Sequence, residues 1–516
     1  MSSGGLELKL IQIDPEQIDD EKLLPAAEAL RRGQLVAFPT ETVYGLGADA
    51  NDPAAVARIF AAKGRPPDNP LIVHLADPDQ LGSVARQIPP LALRLLEAFA
   101  PGPLTLVLPR SSHVPDIVTA GLDTVAVRFP AHPVARRLLQ LARVPVAAPS
   151  ANLSGRPSPT RAWHVLEDLG DRIPFLIDGG PCEYGLESTV LDLSTGKPVI
   201  LRPGSITAED IASVAGLPVS AVLPDRSDGS AAPRAPGMKY RHYAPRARVQ
   251  IFQPPQTDRE REDLDNQIRA LTGEGNRAGL FASRATLDGL KSACRLLDAG
   301  AKDLAALPPG SCAGFAYGLY PDPVAASRHL FDGLRLLDRL ACDVIFAEGM
   351  PEEGVGTAYM NRLRKAAGQA APVLFVCTGN TCRSPMAAAL YNLLRKPSDA
   401  PGQSAGISAM PGDLASPGAL AAMNQDYRIS LAAHRARRLT DGLMDEAGRI
   451  LTMTAGQKKA LLAIRPDLAS RIQTLGEAAG LPEADVPDPY GRSVWQYQAT
   501  AAKLEQLIRS FLEKET

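Results

Sequence analysis

The stretch Lys63-Gly64-Arg65-Pro66-Pro67-Asp68-Asn69-Pro70-Leu71-Ile72-Val73-His74 leads from a helical pattern through a stiff turn into an apolar run. Its prolines fix much of the backbone. Because Lys63 and Arg65 stand two residues apart on this rigid segment, both cationic groups can meet one anion with little further loss of conformational entropy. The stretch therefore predicts a phosphate-binding turn between a helix and a strand, and a solvated turn with incidental charge is the alternative.

The length of the chain, 516 residues, predicts several domains. Basic and acidic residues nearly balance, at 55 and 57, so no overall field would recruit nucleic acid or an anionic membrane. The N-terminus lacks a signal-peptide pattern and no apolar run is long enough to span a membrane, which predicts a cytoplasmic protein without membrane partners. The six cysteines form no CxxC pair, so we expect neither a disulfide framework nor a zinc site.

The first two hundred residues predict an α/β domain with a mixed sheet. Asp52-Pro53 is a helix start, and the helical spacing that follows runs to Lys63. Residues 40–47 are rich in hydroxyl groups and glycine and predict a loop. Apolar runs predict strands at 34–39, 104–108, 124–129, 144–148, 175–177, 188–193 and 198–201.

Polar residues stand where several of these strands end. Arg128 lies in an apolar strand, where it must be paired or must contact a ligand. Hydroxyl and amide groups follow at 148–155 and 185–190, before Arg202. Each cluster alone is typical of an ordinary polar turn, but their recurrence at strand ends indicates one shared site.

These motifs in this order resemble the Sua5/YrdC family of threonylcarbamoyl-AMP synthases, over about residues 8–215. The resemblance rests on PTETVYGLGADA, KGRPPDNPLIVH, PGPLT, VRFP, APSANLSGRPSPT, DGGPCEYGLESTV and LRPGSIT. It implies that L-threonine and bicarbonate combine into an N-carboxylate that attacks the α-phosphorus of ATP and releases pyrophosphate. The adenylate product would serve formation of N6-threonylcarbamoyladenosine at position 37 of tRNA, through transferase partners acting downstream.

The same resemblance implies a set of site residues. Lys63 and Arg65 would be catalytic, stabilising charge at the α-phosphate together with Ser150 and Asn152, and Arg128 would hold the carboxylate of threonine. The implied ATP-binding residues are Lys63, Arg65, Asn69, Thr124, Ser150, Asn152, Ser158, Arg202 and His242. The implied threonine-binding residues are Thr42, His74, Arg128, Ala148 and Ser188. Mg²⁺ is expected with ATP, without a metal site made by the protein alone.

The composition divides the rest of the synthase part into a linker and a second domain. Residues 1–222 are the predicted YrdC-like domain, and 223–247 form a linker in which KYRHYAP resembles the Sua5 segment that folds over the active site, with His242 and Tyr240 or Tyr243 capping the nucleotide. Residues 248–369 alternate strand and helix patterns, as in a small Rossmann-like parallel βαβ domain, and resemble the Sua5 C-terminal domain with a structural or gating role.

A second active site is predicted in residues 370–516. A strand at 373–376 leads into Cys377-Thr378-Gly379-Asn380-Thr381-Cys382-Arg383-Ser384-Pro385, a loop opening a helix that is expected to begin at the proline. The loop amides and Arg383 would cradle phosphoryl oxygens around a Cys377 thiolate. Asp488 would supply the general acid. The catalytic set is therefore Cys377, Arg383 and Asp488, with a phosphate loop over 377–384.

This part resembles the low-molecular-weight protein tyrosine phosphatases, an α/β fold with a parallel sheet. There Asn380 would orient the loop, Ser384 would bond the thiolate, and Cys382 would form a reversible disulfide with Cys377. Thr381 is typical of the protein-arginine phosphatase branch, whereas Tyr490 is the tyrosine-phosphatase form, so a phosphorylated protein substrate carries either phosphotyrosine or phosphoarginine. Arsenate reductases share the loop but need later cysteines, and none follows Cys382.

Two other functions remain open for the N-terminal part. One is an RNA- or tRNA-binding module in which the phosphatase is the only enzyme, and the near-neutral charge disfavours it. The other is a carbamoyltransferase of hydrogenase maturation, which would need zinc fingers that the cysteine count excludes.

Overall fold

The computed structural model describes residues 8–218, 243–292, 294–301, 305–368, 372–395, 401–440, 443–444, 447–469 and 471–515. The described residues up to Gly368 form one compact unit, and those from residue 372 onward form a second.

The first sheet of the first unit has ten strands. They are β1 (Lys9–Gln12), β2 (Val36–Phe38), β3 (Gly45–Asp49), β4 (Ile72–His74), β5 (Leu104–Pro109), β6 (Thr124–Arg128), β7 (Val146–Ala147), β8 (Phe175–Asp178), β9 (Thr189–Asp192) and β10 (Val199–Arg202). Their order across the sheet is β1-β8-β2-β3-β7-β4-β6-β5-β9-β10. Parallel pairs such as β4 with β6 and antiparallel pairs such as β5 with β6 both occur, which confirms the predicted mixed sheet.

Helices cover this sheet. They are α1 (Asp20–Arg31), α2 (Pro53–Lys63), α3 (Leu81–Val84), α4 (Pro90–Phe99), α5 (Asp116–Thr119), α6 (Pro133–Ala142), α7 (Ala162–Leu169) and α8 (Ala208–Ala215), with a 3-10 turn at Pro78–Gln80. Helix α2 packs with β3, β4 and β6 in one apolar core, while α1 and α6 pack with β2 in another. The sheet is thus buried between helices, as an α/β fold requires.

One predicted loop is a strand. The expectation of a loop over residues 40–47 is wrong from Gly45 onward, because Gly45–Asp49 pairs antiparallel with β2. Gly47 serves packing here, since a Cβ atom on it would lie 2.8 Å from both the Phe38 ring and the Val146 side chain. Gly47 is therefore required by the close packing of neighbouring strands, whereas the sequence pattern indicated that the glycines here form a turn.

The second sheet of this unit is all parallel, as predicted for a βαβ domain. Its strands are β11 (Arg248–Phe252), β12 (Ala278–Ala282), β13 (Cys294–Leu297), β14 (Cys312–Ala316) and β15 (Val344–Glu348), in the order β11-β15-β12-β14-β13. Its helices are α9 (Asp258–Gly273), α10 (Arg284–Asp288), α11 (Pro323–Arg339) and α12 (Val355–Ala366).

A disulfide joins Cys294 to Cys312 on two neighbouring strands of this sheet. The two residues are 18 apart in sequence and directly opposite one another in the β13–β14 register. Strand pairing alone brings them together, so the absence of a CxxC pair gave no sign of this bond.

The two sheets of the first unit share apolar packing. Val43 and Leu186 of the ten-stranded domain lie in the same buried cluster as Tyr243, Phe331 and Tyr359. The second domain therefore packs directly against the loops that carry the polar motifs of the first.

The second unit contains a four-stranded parallel sheet. Its strands are β16 (Val373–Cys377), β17 (Gly402–Gly406), β18 (Arg449–Thr452) and β19 (Ile472–Thr474), in the order β17-β16-β18-β19. Its helices are α13 (Arg383–Leu394), α14 (Pro417–Tyr427), α15 (Ala455–Ile464), α16 (Leu475–Ala479) and α17 (Val494–Glu515), with a 3-10 turn at Pro466–Leu468. The predicted parallel sheet is confirmed.

One boundary in this unit differs from the expectation. Helix α13 begins at Arg383, two residues before the expected start at Pro385, because Arg383 and Ser384 already have helical geometry. Within the described part of the chain, no helix is long and apolar enough to cross a membrane.

Candidate active sites

The basic turn is fixed by the end of helix α2. Asp52 caps the start of the helix by accepting a hydrogen bond from Ala54 N at 2.8 Å, as the Asp-Pro signal predicts. Gly64 ends it in the left-handed conformation, with φ at 60°, which a residue with a side chain adopts only at a cost. Lys63 is therefore the last helical residue and Arg65 the first residue of the turn.

Lys63 supports the loop that carries Ser150 and Asn152. Its ammonium group donates to the carbonyl oxygens of both residues, each at 2.5 Å, and it is buried. Burial lowers the pKa of Lys63 well below its usual range. The Ser150 hydroxyl in turn donates to Asn152 Oδ1 at 2.5 Å. In this arrangement Lys63 holds the backbone of the Ser-x-Asn segment, and the two polar side chains of that segment face the cavity.

Arg65 lines the cavity itself. One of its terminal nitrogens donates to the carbonyl oxygens of Asn69 and Pro70, at 3.2 and 3.1 Å. Its buried Nε has no hydrogen-bond partner among the residues that the structure describes. Burial lowers the pKa of Arg65 to about 10, so the group remains a cation at neutral pH. A buried, positively charged donor left in this state is suited to an anionic ligand.

The opposite wall is built by two adjacent strand ends. His74 and Arg128 are register partners in the parallel pair β4–β6, so both side chains reach the same edge of the sheet. Arg128 donates to Glu41 Oε1 at 2.7 Å, and both side chains are buried. Burial lowers the pKa of His74 to about 3, so the ring is neutral at physiological pH. The sequence analysis named Arg128 but missed Glu41, although it stands within the same PTETVYG motif.

A third set of cavity residues comes from segments 158, 187–188 and 202. Ser158 donates to Glu187 Oε1 at 2.5 Å, and Arg202 donates to the carbonyl and hydroxyl oxygens of Ser188, at 3.1 and 3.2 Å. Burial alone would raise the pKa of Glu187, but the guanidinium groups of Arg362 and Arg202 lower it to about 2. Glu187 is thus a buried anion, and the sequence analysis did not identify it.

Tyr243, near the end of the predicted linker, lines the cavity and packs against the second domain. It is buried, and its ring stacks on Phe331 with centroids 5.1 Å apart. Burial raises the pKa of Tyr243 to about 12, and Glu187 adds to that shift. His242 and Tyr240, the other expected caps, lie outside the described residues.

Most of the expected synthase residues meet in one narrow cavity of about 60 Å³. Those that line it are Arg65, His74, Arg128, Ala148, Ser150, Asn152, Ser158, Ser188 and Arg202. Lys63, Asn69 and Thr42 are buried and do not line it. Thr124 begins strand β6 and Arg128 ends it, about 13 Å along the strand. Thr124 is therefore not brought to the cavity in this structure.

The second site is built on the loop after strand β16. Cys377 ends the strand, and Asn380 adopts φ of 54° so that the loop can curl back over the sulfur. The Asn380 amide group holds this turn by donating to Ser384 Oγ at 2.9 Å and to Ser404 Oγ at 3.0 Å. Its backbone N–H points at Cys377 Sγ, at 3.2 Å, and the Ser384 hydroxyl lies 3.0 Å from the same sulfur. These contacts stabilise negative charge on the sulfur.

Arg383 and Asp488 meet across the mouth of this loop. Arg383 donates to Asp488 Oδ2 at 2.7 Å, and the Asp488 side chain is half exposed. Arg383 Nε is buried without a partner among the described residues. The cleft encloses about 630 Å³, and Thr381, Asp413 and Tyr490 also line it.

Cys382 lines the same cleft, and both it and Cys377 are free thiols. Its sulfur donates to Ser416 Oγ at 3.3 Å and lies 3.7 Å from the Tyr497 hydroxyl. The sequence analysis did not identify these two partners, which lie 34 and 115 residues further along the chain. Among the side chains that the structure describes, no group of three or more His, Cys, Asp or Glu residues could hold a metal ion.

Three family models match the chain. The Sua5/YciO/YrdC model, described as telomere recombination, matches residues 28–204. The threonylcarbamoyl-AMP synthase C-terminal domain matches 206–368, and the low molecular weight phosphotyrosine protein phosphatase matches 372–515.

Full-length relatives cover the first two of these regions. The threonylcarbamoyl-AMP synthase of Pyrococcus abyssi is 48% identical over 354 residues, which are 68% of this chain and 96% of the relative. That of Bacillus subtilis is 45% identical over 356 residues, or 69% of this chain and 95% of the relative. A crystal structure of P. abyssi Sua5 complexed with L-threonine is 46% identical, with a TM-score of 0.60 over 70% of this chain and 98% of that one.

The cavity geometry, the family models and these relatives agree, and the chain belongs to the threonylcarbamoyl-AMP synthase family, with a low molecular weight phosphatase domain following the synthase in the same polypeptide.

Proposed function

We propose that the first unit converts L-threonine, bicarbonate and ATP into threonylcarbamoyl-AMP and pyrophosphate. One observation carries this proposal: Arg65, Ser150 and Asn152 line the same cavity as His74 and Arg128. Arg65 has an unused buried donor for phosphate, while the fork of Arg128 suits a carboxylate. Groups suited to phosphate and a group suited to a carboxylate thus line the same cavity.

The proposed reaction needs positioning and charge neutralisation. Threonine bound through Arg128 would have its nitrogen directed toward the phosphate side, where the N-carboxylate forms from bicarbonate and attacks the α-phosphorus. Arg65 and the hydroxyl and amide groups of Ser150 and Asn152 would stabilise the charge that develops on the phosphorus oxygens as pyrophosphate leaves. Mg²⁺ would be held by the phosphate oxygens of ATP and would neutralise part of their charge.

Pyrophosphate release tests the synthase proposal. We expect release from ATP only when threonine and bicarbonate are both present, and a loss of about 100-fold in Arg65→Met, because a charged donor to the phosphates is removed. Arg58→Met is the matched control, since this arginine lies on helix α2, which leads to Arg65, and has an exposed ion pair to Asp52. Release that is independent of threonine, or equal loss in both variants, would contradict the proposal.

The product would be used in forming N6-threonylcarbamoyladenosine at position 37 of tRNA. The threonylcarbamoyl group would be transferred by separate enzymes, which are the partners that we infer. Adding such a transferase and tRNA to the full chain should convert the adenylate into modified nucleoside, as measured by mass spectrometry of the digested tRNA.

We also propose that the second unit is a cysteine-dependent phosphatase. Cys377 Sγ would attack the phosphorus of a phosphorylated side chain and form a cysteinyl phosphate, while Asp488 protonates the leaving group. Water would then hydrolyse the intermediate, with Asp488 accepting a proton, and release inorganic phosphate. Arg383 would hold the phosphoryl oxygens, and its buried Nε without a described partner and its ion pair with Asp488 support this role.

We propose phosphoarginine as the preferred substrate of this cleft, with phosphotyrosine as the alternative. Thr381 lines the cleft with a small side chain, and Asp413 adds a carboxylate that suits a guanidinium leaving group. Turnover of phosphoarginine and phosphotyrosine peptides should be compared in wild type and Thr381→Ile. We expect the larger side chain to shift the ratio toward phosphotyrosine, whereas an unchanged ratio would mean that Thr381 does not select the substrate.

A further inference from the structure

One arginine of the second domain contacts residues that form the wall of the synthase cavity. Arg362 lies on helix α12 and is fully buried. Its Nε donates to Glu187 Oε2 at 3.1 Å, and its Nη2 lies 3.4 Å from the Glu187 carbonyl oxygen. Its Nη1 donates to the carbonyl oxygen of Pro203 at 2.6 Å. A single guanidinium from the second domain therefore holds together segments 187–188 and 202–203, which flank the paired strands β9 and β10.

Both of these segments carry groups that face the cavity. Glu187 accepts the hydrogen bond from Ser158 at 2.5 Å, which fixes the direction of a hydroxyl group at an expected ATP-contacting position. Arg202 stands next to Pro203 and donates to Ser188. Ser158, Glu187, Ser188 and Arg202 all line the cavity, whereas Arg362 does not. Arg362 thus acts on the cavity only through the residues that it holds.

We propose that Arg362 is a positioning residue of the adenylate-forming site, which sets the orientation of Ser158 through Glu187 and the position of Arg202 through Pro203. This inference rests on the proposed synthase function and gives the second domain a defined part in it. A lysine should replace the arginine only in part, because Arg362 directs three nitrogens, fixed in one plane, to the Glu187 carboxylate, the Glu187 carbonyl and the Pro203 carbonyl, and a single ammonium nitrogen cannot reproduce that fixed geometry.

The test compares Arg362→Lys and Arg362→Met with wild type in the full chain. Arg364→Met is the control, because Arg364 lies on the same helix and pairs with Glu352 at the surface. We expect the KM for ATP in pyrophosphate release to rise about tenfold in Arg362→Lys, with a smaller change in kcat, and the control to stay within about twofold. Calorimetric binding of a non-hydrolysable ATP analogue should weaken by the same factor.

A double-mutant cycle with Ser158→Ala shows whether Arg362 acts through that hydroxyl. On the Ser158→Ala background, the effect of Arg362→Lys on ATP affinity should shrink, because the group that Arg362 orients is gone. Full additivity would overturn the proposed route through Glu187. Unchanged KM and analogue affinity together with a lowered melting temperature would show a purely structural arginine, and would overturn the proposal.

The phosphatase turnover of the same preparations controls for general damage, and we expect it to be equal in all variants. Failure of the synthase proposal has a different signature, namely a wild type that releases no pyrophosphate. In that case the binding of the ATP analogue still decides the role of Arg362, because equal affinities in wild type and Arg362→Lys would contradict it.

Discussion

The two active sites of this chain differ in how they are assembled and how they are enclosed. The phosphatase loop comes from one continuous segment, 377–384, completed by one distant carboxylate, and it opens into a cleft of about 630 Å³. The synthase cavity encloses about 60 Å³ and draws its walls from strand ends and loops between residues 40 and 243. The first site depends on local chain geometry, whereas the second depends on long-range packing of buried charges.

This difference predicts how substitutions should affect binding and stability at each site. In the phosphatase loop, the side chains that contact Cys377 and Asn380 are neutral hydroxyl and amide groups, so a substitution there removes a hydrogen bond without leaving a buried ion unpaired. In the enclosed cavity, removing one charge leaves another buried without its partner, which commonly costs about 3–5 kcal/mol. Substitutions in the synthase cavity should therefore combine effects on binding with effects on folding.

The largest expected effect separates the two sites. Cys377→Ser should lower phosphatase turnover by at least about 10⁴-fold, because a serine hydroxyl is a far weaker nucleophile in a loop built for a thiolate. Pyrophosphate release by the same protein should not change, since each site has its own catalytic groups. A parallel loss of both activities would show that the sites are coupled and would break the comparison.

A smaller effect is expected from Arg128 in the enclosed cavity. Arg128→Met should raise the KM for threonine about 100-fold through loss of a charge-assisted bond, and should also lower stability by exposing the charge of Glu41 to an apolar environment. The double variant Arg128→Met with Glu41→Gln should regain stability, but its KM for threonine should stay raised. Arg137→Met, at a half-exposed ion pair with Asp20, is the control, and an equal KM change there would refute the assignment.

Substitutions of Asn380 test the local geometry of the phosphatase loop. Asn380→Ala should lower phosphatase kcat about tenfold, because it removes two side-chain hydrogen bonds and places alanine at positive φ. Asn380→Gly relieves only the backbone strain. If the glycine variant regained full activity, the amide contacts to Ser384 and Ser404 would be dispensable.

The smallest expected effect is on the pH dependence of stability, through the buried His74. The pKa of His74 is lowered to about 3 in the folded chain, against 6.5 when exposed, so between these values only the unfolded chain binds the proton. Stability should therefore rise with pH from about 3 to 6.5 and be fully present above that range. His74→Asn should reduce this slope by at most about 1.4 kcal/mol per pH unit, measured by urea unfolding of the first unit. An unchanged slope would mean that His74 is not protonated on unfolding in this range.

Sequence reasoning succeeded where the physical cause is local. The strands before Arg128 and Cys377 follow from short apolar runs, and the helix ending at Lys63 follows from its cap and its glycine. The phosphate loop is likewise one contiguous motif. These features depend on residues within about one turn or strand of each other.

What the sequence did not show depends on pairing across the fold. Glu187 and Arg362 are 175 residues apart, and neither residue type is unusual in its own segment. The same holds for the Cys294–Cys312 disulfide, which only strand register creates. Glu41 could have been found, because an acidic residue within a buried motif next to an expected arginine site calls for a cationic partner.

The buried Arg335 of helix α11 has a consequence for dividing this polypeptide into modules. It donates to the carbonyl oxygen of Pro157 at 2.5 Å and to Asp168 Oδ2 at 2.6 Å, both in the ten-stranded domain. A boundary drawn between residues 204 and 206, where the two family models meet, therefore cuts through a shared electrostatic network. Cutting this chain at that boundary would remove one of the arginines that pair with buried Asp168, so a fragment that keeps this ion pair has to include helix α11.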